Sequence, residues 1–223
     1  MTDFATARHN MVYSQIAPNQ VTDMRVLKAM REVPRELFLP ASKQAGAYID
    51  RDIKLDDAGP GGEGRYMMEP RVLARLLQAA AIGPEDAVLD VGCGTGYSSA
   101  VIGQLAASVI SLEMEEDLAE SANSLLSEHG SDNVVVVTGE LAEGYEEEAP
   151  YDVIVLEGAV EQVPDALFAQ LKDGGRLVAV IRERGVGHAT LYSRAGEGVS
   201  GRVIFDAGSK RLPGFERKKD FVF

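Results

Sequence analysis

The 223-residue chain has no tryptophan and one cysteine, and its aromatic residues make up only 6%. A single cysteine excludes an internal disulfide and suits a reducing cytoplasm. No apolar run approaches the roughly 18 residues of a membrane-spanning helix, so no membrane partner is expected. The opening Met1-Thr2-Asp3-Phe4 has neither a basic n-region nor an apolar h-region, which predicts no secretion signal and a cytoplasmic protein. One stretch lacks basic residues altogether: 82–150 holds fifteen acids and no Lys or Arg. Residues 1–57 carry eight acids and eight bases, and 151–223 carry ten acids and eleven bases, within a net charge of −13. Phosphate backbones are held by clustered Lys and Arg, so the acidic middle argues against a nucleic-acid partner. His9, His129 and His188 are scattered, with neither metal-ligand spacing nor a Ser-His-Asp grouping, so no metal is expected.

What is present reads as a globular α/β chain, 45% hydrophobic and 26% charged. Its length fits one domain with an added segment. Residues 1–80 read mainly as helices. Thr22 or Asp23 caps a helix with Val26, Leu27, Met30 and Val33 on one face, stopped by Pro34. Asp56 to Gly62 is loop chemistry, and Pro70 opens a helix bearing Val72, Leu73, Leu76 and Leu77. From Ala87, strand runs at 87–91, 108–113, 133–138, 152–156 and 175–181 alternate with helical runs near 97–107, 115–129 and 163–172. That alternation predicts a doubly wound, mostly parallel sheet. Runs at about 188–194 and 201–206 around the turn Arg194–Gly198 add antiparallel final strands.

The most informative stretch is Asp90-Val91-Gly92-Cys93-Gly94-Thr95-Gly96-Tyr97, directly after Ala87-Val88-Leu89. Glycine at every second position lets a ligand lie against bare backbone at a strand-to-helix turn. The dinucleotide pattern G-x-G-x-x-G/A places its third small residue where Tyr97 stands here. The run D-x-G-x-G-x-G instead resembles the S-adenosylmethionine (SAM) motif of Rossmann-like methyltransferases. Downstream, Ser108–Leu112 ends at Glu113, 17 residues after Gly96. A carboxylate closing the second strand can accept both ribose hydroxyls, which makes Glu113 the ribose candidate. Cys93 reads as a small residue that fits the turn.

With those residues in view, the chain resembles the protein-L-isoaspartate O-methyltransferase family. The segment from Met11-Val12 through Val21-Thr22-Asp23 to Val33-Pro34-Arg35-Glu36-Leu37-Phe38-Leu39-Pro40 is similar to that family's N-terminal region. Tyr151–Val155, Val163–Leu167, Leu171–Val178 and Arg211-Leu212-Pro213-Gly214-Phe215 resemble its later strands and C-terminal tail. The resemblance implies a Rossmann-like core at 81–223 and a helical, substrate-side segment at 1–80, together one methyltransferase domain. It implies SAM as cofactor, with Asp90, Gly92, Cys93, Gly94 and Gly96 around its methionine part and Glu113 and Met114 at the ribose. Gly139, Glu140 and Leu141 would lie by the adenine, and Glu157 would border the cofactor. It further implies methylation of the free carboxylate of isoaspartyl residues in damaged proteins.

The departure lies at the substrate motif. Counting back from Pro70, the family's Thr-Ile-Ser falls on Tyr66-Met67-Met68, and the family's Thr after the fourth strand is Glu157. Tyr66 and Met68 therefore occupy the candidate catalytic positions, and the Met68 thioether cannot donate a hydrogen bond to a carboxylate. A second acid at 157 would tend to repel a carboxylate. Two alternatives stay open: the same fold acting on a different acceptor, and a SAM-binding module that does not catalyse. Methyl transfer to an ionised carboxylate needs no general base, only alignment and exclusion of water. Residues 56–70 are expected to close over the acceptor.

Overall fold

Two periodicities organise the chain: single apolar faces in the helices and alternating burial in the strands. The computed structural model describes residues 3–55, 64–183 and 185–217. Helix α1 (Phe4–Asn10) is capped by Asp3 and runs into a π-helical turn at Met11–Ile16. Helix α2 (Met24–Glu32) takes Asp23 as its cap, the carboxylate accepting the Arg25 N–H at 2.8 Å. It ends ahead of Pro34, whose ring disfavours helical backbone in the residue before it. Val26, Leu27, Met30 and Val33 are buried as their spacing predicts.

Strands β1 (Ile53–Lys54) and β2 (Tyr66–Met67) then pair antiparallel. This ribbon interrupts the expected helical reading, because two-residue strands leave no alternation to read. Helix α3 (Pro70–Ala80) begins on its proline and buries Val72, Leu73, Leu76 and Leu77. The Gln78 side-chain oxygen on α3 accepts the Thr22 and Asp23 N–H groups at 2.6 and 2.9 Å, which pins the start of α2 against α3.

From there the order is β3 (Ala87–Val91), α4 (Tyr97–Gly103), β4 (Ser108–Glu113), α5 (Glu116–Glu128) and β5 (Val134–Thr138). It continues with β6 (Tyr151–Val160), α6 (Asp165–Ala169), β7 (Leu171–Glu183), β8 (Val186–Ala195) and β9 (Gly198–Asp206). Among the described residues β3 to β9 form one sheet, ordered β5-β4-β3-β6-β7-β8-β9. Pairing is parallel from β5 to β7 and antiparallel for β8 and β9. Helices α4 and α6 are shorter than the expected 97–107 and 163–172. Leu167 and Leu171 mimic a helical i,i+4 pair, but Leu171 opens β7 opposite Tyr151.

Side chains alternate across the sheet with the strand period. Val88, Val153, Val155, Val178 and Val180 pack in one core with residues of α2 to α5, while Leu89, Val91, Ile154, Leu156 and Leu177 pack in another with Leu167, Leu212 and Phe215. The chain leaves β3 towards β4 and β5 and returns on β3's other side as β6. A doubly wound sheet opens a crevice where neighbouring strands send their connections apart, here past the ends of β3 and β6. At the sheet's far side, Gly187 in β8 lies against the next segment. A Cβ there would stand 2.1 Å from the Ala207 carbonyl oxygen. Gly187→Ala is expected to destabilise by about 1–3 kcal/mol through that overlap; an unchanged urea midpoint would show that the segment yields freely.

Candidate active site

The glycine turn follows β3, and its three glycines face different things. Gly92, Gly94 and Gly96 all have positive φ, at 81, 58 and 92°. A Cβ on Gly92 would meet Leu212 Cδ1 at 2.6 Å and Arg65 Nη2 at 2.8 Å, and one on Gly94 would meet Leu55 Cδ1 at 2.4 Å. Gly96 instead faces Ala122 and Leu126 of α5, at 3.3 and 3.1 Å. The third glycine thus serves helix packing, while the first two lie under side chains from the β1–β2 region and the C-terminal tail. Several of the turn's N–H groups are bonded within the chain. Gly92 and Cys93 donate to the Leu112 carbonyl, Gly96 to the Cys93 carbonyl and Gly94 to the Glu113 carboxylate. Burial pushes the Cys93 thiol well above its ordinary range, so it holds no thiolate nucleophile.

Glu113, at the end of β4, is fully buried and holds the strongest ion pair of the region. Arg65 is 2% exposed and grips both carboxylate oxygens, Nε to Oε1 at 3.1 Å and Nη2 to Oε2 at 2.9 Å. The N–H groups of Gly94, Met114 and Glu115 add bonds of 2.7, 2.9 and 3.3 Å. The residue expected to hold a ribose thus holds a guanidinium here. Sequence reading missed Arg65; its only signal was a lone base beside a glycine-rich loop.

Asp90 near the end of β3 and Glu157 within β6 flank the crevice, and both are buried. Leu156 pairs with Val91, so Glu157 stands one residue past the last β3–β6 pair. Ser98 and Ser99 of α4 donate to Asp90 Oδ2 at 2.7 Å each. Burial still pushes Asp90 up to about 6, against the pull of those hydroxyls. Burial and the nearby Asp90 charge push Glu157 well above the ordinary carboxylate range. Glu157 Oε1 and the Tyr97 hydroxyl are buried without hydrogen-bond partners among the described residues. Both line a cavity of only about 10 Å³ together with Tyr66, Met68, Gly92 and Cys93.

The two substitutions at the expected substrate motif meet at this cavity. Tyr66 is half-buried in β2 with the Lys210 ammonium 5.4 Å from its ring centre. Met68 is buried, and its carbonyl accepts from Arg35 Nη2 at 2.7 Å. Arg35 itself is fully buried, lies 4.7 Å from the Tyr97 ring centre and also donates to the Ala47 carbonyl. Around the expected adenine position, the Gly139 N–H donates to the Glu113 carbonyl and Glu140 precedes a short 3-10 turn. Leu141 is buried in the core beside Leu112, and Met114 packs against that core. His9 lies against Tyr13, His129 against Phe38, and His188 pairs with Asp206. Of the expected closing segment 56–70, residues 56–63 lie outside the described ones.

A family model described as protein-L-isoaspartate(D-aspartate) O-methyltransferase matches residues 6–205. The chain is 42% identical over 178 residues to a protein-L-isoaspartate O-methyltransferase of Koribacter versatilis, covering 80% of this chain and 78% of that one. It belongs to this family. A solved protein-L-isoaspartate O-methyltransferase superimposes with a TM-score of 0.82 at 27% identity, over 93% of this chain and 66% of that chain. A Plasmodium falciparum structure in complex with S-adenosyl-L-homocysteine shares the fold, with a TM-score of 0.74 at 19% identity, over 94% of this chain and 97% of that one. Membership makes the chain a SAM-dependent methyltransferase by class, and the sheet order with its antiparallel finish agrees with that fold.

Two expected outcomes follow from the family member's buried charges. Glu113→Gln takes from the buried Arg65 the carboxylate it grips with two bonds and should cost about 3–5 kcal/mol of folding stability. Arg65→Met combined with Glu113→Gln should recover most of that loss, because the amide oxygen still accepts backbone N–H groups. Urea denaturation of the double-mutant cycle checks this, and additive losses would mean that the two charges do not interact. Asp90 and Glu157 bind protons more tightly folded than unfolded, so they erode stability as pH rises above the unfolded value of about 4. Glu157→Gln removes one such group, and its urea midpoint should gain on the parent between about pH 5 and pH 8. Parallel pH profiles would show that Glu157 carries no such shift.

Proposed function

We propose that this chain methylates the free carboxylate of isoaspartyl residues in damaged proteins, with SAM as the methyl donor. The observation that carries this reading is the reach of the family match. It spans 6–205 and therefore includes the helical N-terminal part as well as the sheet. In this reading the whole of 1–223 is one methyltransferase domain, with 1–80 forming the acceptor side.

The residues at the β3 turn fit SAM in kind. Gly92 and Gly94 offer backbone without Cβ, Asp90 Oδ1 is a buried acceptor with no partner, and Glu113 supplies a carboxylate at the strand end. Side chains within 2.4–2.8 Å of the Cβ positions leave no room for a ligand atom over Gly92 or Gly94. SAM would fit against this turn only if Leu55, Arg65 and Leu212 left it and Arg65 gave up Glu113, the carboxylate that would then hold the ribose. Asp90, Cys93 and Gly96 shape the turn, Met114 flanks the ribose, and Gly139, Glu140 and Leu141 border the adenine. Bound SAM supplies an activated methyl group on a sulfonium. The protein's own part is to align the acceptor carboxylate and to exclude water. Tyr66, Met68 and Glu157 lie on the acceptor side of the turn.

A second reading, a different methyl acceptor, is favoured by one observation: Tyr66 and Met68 stand at the cavity in place of the family's hydroxyls. Labelled SAM on matched isoaspartyl and aspartyl peptides separates the two. Selective labelling of the isoaspartyl peptide is the expected result. SAM binding in calorimetry without labelling of either peptide would favour the second reading, and gain of isoaspartyl turnover in Met68→Ser would show where the older chemistry was lost.

A further inference from the structure

Three of the chain's own side chains fill the glycine turn after β3, and as placed they leave SAM no room there. Leu55 Cδ1 lies 2.4 Å from the Cβ position of Gly94, and Leu212 Cδ1 and Arg65 Nη2 lie 2.6 and 2.8 Å from that of Gly92. The three are not alike. Leu55 and Leu212 fill space with methyl groups, whose rotation breaks no directed bond. Arg65 is bonded: the same Nη2 that covers Gly92 donates to Glu113 Oε2 at 2.9 Å, and Nε donates to Oε1 at 3.1 Å. The Leu55 N–H donates to the Arg65 carbonyl at 2.8 Å, which joins two of the blocking residues through their backbones.

Glu113 has no acceptor capacity to spare. Arg65 Nε and the N–H groups of Met114 and Glu115 reach Oε1, while Arg65 Nη2 and the Gly94 N–H reach Oε2. These donors already fill a carboxylate that has about four lone-pair sites. A ribose held here through two hydroxyls must therefore replace a pair of donors. The backbone N–H groups belong to the turn and to the start of α5, so the pair that can leave is the guanidinium. The two match in kind, because a guanidinium edge offers two parallel N–H donors where a vicinal diol offers two O–H donors. The guanidinium adds a positive charge, and charge-assisted bonds are roughly twice as strong as neutral ones. Bond for bond, the ribose is the weaker partner for this carboxylate.

We propose that Arg65 is an internal competitor for the donor site and holds this chain's affinity for SAM low. The proposal rests on SAM as the donor and is independent of which acceptor is methylated. A ligand that binds only the molecules with Arg65 off Glu113 has its dissociation constant raised by the inverse of their fraction. A fraction of about 1% raises it about 100-fold. The side chain at 65 is thus a determinant of donor affinity, although it lies outside the glycine motif and outside the strand that ends in Glu113.

Calorimetric titration of SAM into the parent and into Arg65 variants tests this. Arg65→Met has similar length and no donor, and Glu113 keeps its three backbone N–H groups. Its SAM dissociation constant should lie at least about 10-fold below the parent's. Arg65→Lys keeps the charge but has no fork for both oxygens, and its affinity should fall between the two. Leu55→Ala and Leu212→Ala open space with the guanidinium in place, and each should tighten SAM less than Arg65→Met does. Nitrogen NMR gives a view that does not depend on affinity. The Arg65 Nε–H signal, assigned as the one that Arg65→Lys lacks, should shift when SAM is added to the parent. If Arg65→Met fails to fold, Arg65→Lys and the NMR shift decide. Unchanged or weakened SAM affinity in Arg65→Met, tightening by the leucine variants alone, or an Arg65 signal unmoved at saturating SAM would overturn the proposal. SAM binding in neither the parent nor Arg65→Met would overturn it and strike the SAM reading as well. Isoaspartyl labelling by a parent whose SAM affinity Arg65→Met leaves unchanged would strike only the role given to Arg65.

Discussion

The grip of Arg65 on Glu113 is the interaction on which the rest of this site depends. It sets a guanidinium against the glycine turn, within electrostatic reach of Glu157 and Asp90 as well. Buried ion pairs contribute little net stability, yet they are costly to break by halves. Such a pair therefore holds geometry firmly, and here it holds the side chain of Arg65 against the glycine turn. Arg65 lies next to Tyr66 in the chain, so any movement that frees Glu113 also moves a residue bordering the acceptor cavity.

The second constraint is electrostatic. Carboxyls gather where the pairing of three neighbouring parallel strands runs out, and each of β3, β4 and β6 brings one: Asp90, Glu113 and Glu157. Their environments differ although their distance from bulk water does not. Hydroxyls serve one oxygen of Asp90, a guanidinium and backbone N–H groups serve Glu113, and Glu157 Oε1 has no partner among the described residues. Burial raises both Asp90 and Glu157 above the ordinary carboxylate range, and Glu157 borders the cavity lined by Tyr66 and Met68.

Much of this molecule was legible in its sequence. The strand runs at 87–91 and 108–113 appear with those bounds, because buried strands of a parallel sheet are short apolar runs between turn residues. The cap at Asp23 and the stop before Pro34 were legible for local reasons, a carboxylate able to accept N–H groups and a ring that bars a helix. Two readings failed locally. The window 163–172 has helical spacing at Leu167 and Leu171, but strand pairing with β6 claims Leu171. The ribbon of β1 and β2 is too short to carry a period.

The candidate site divides along the same line. Sequence alone determined the α/β class, the glycine turn, the acid closing β4 and the family to which the chain belongs, because each depends on residue type and spacing within a few neighbouring positions. Tertiary structure alone decided that Gly96 faces a helix, that Arg65 occupies Glu113, and that Glu157 is buried with its Oε1 unpartnered among the described residues. Those facts depend on which side chains meet across more than 40 positions of chain, as Arg65 meets Glu113, and on how many donors reach each buried acid. Spacing along a sequence carries no record of either.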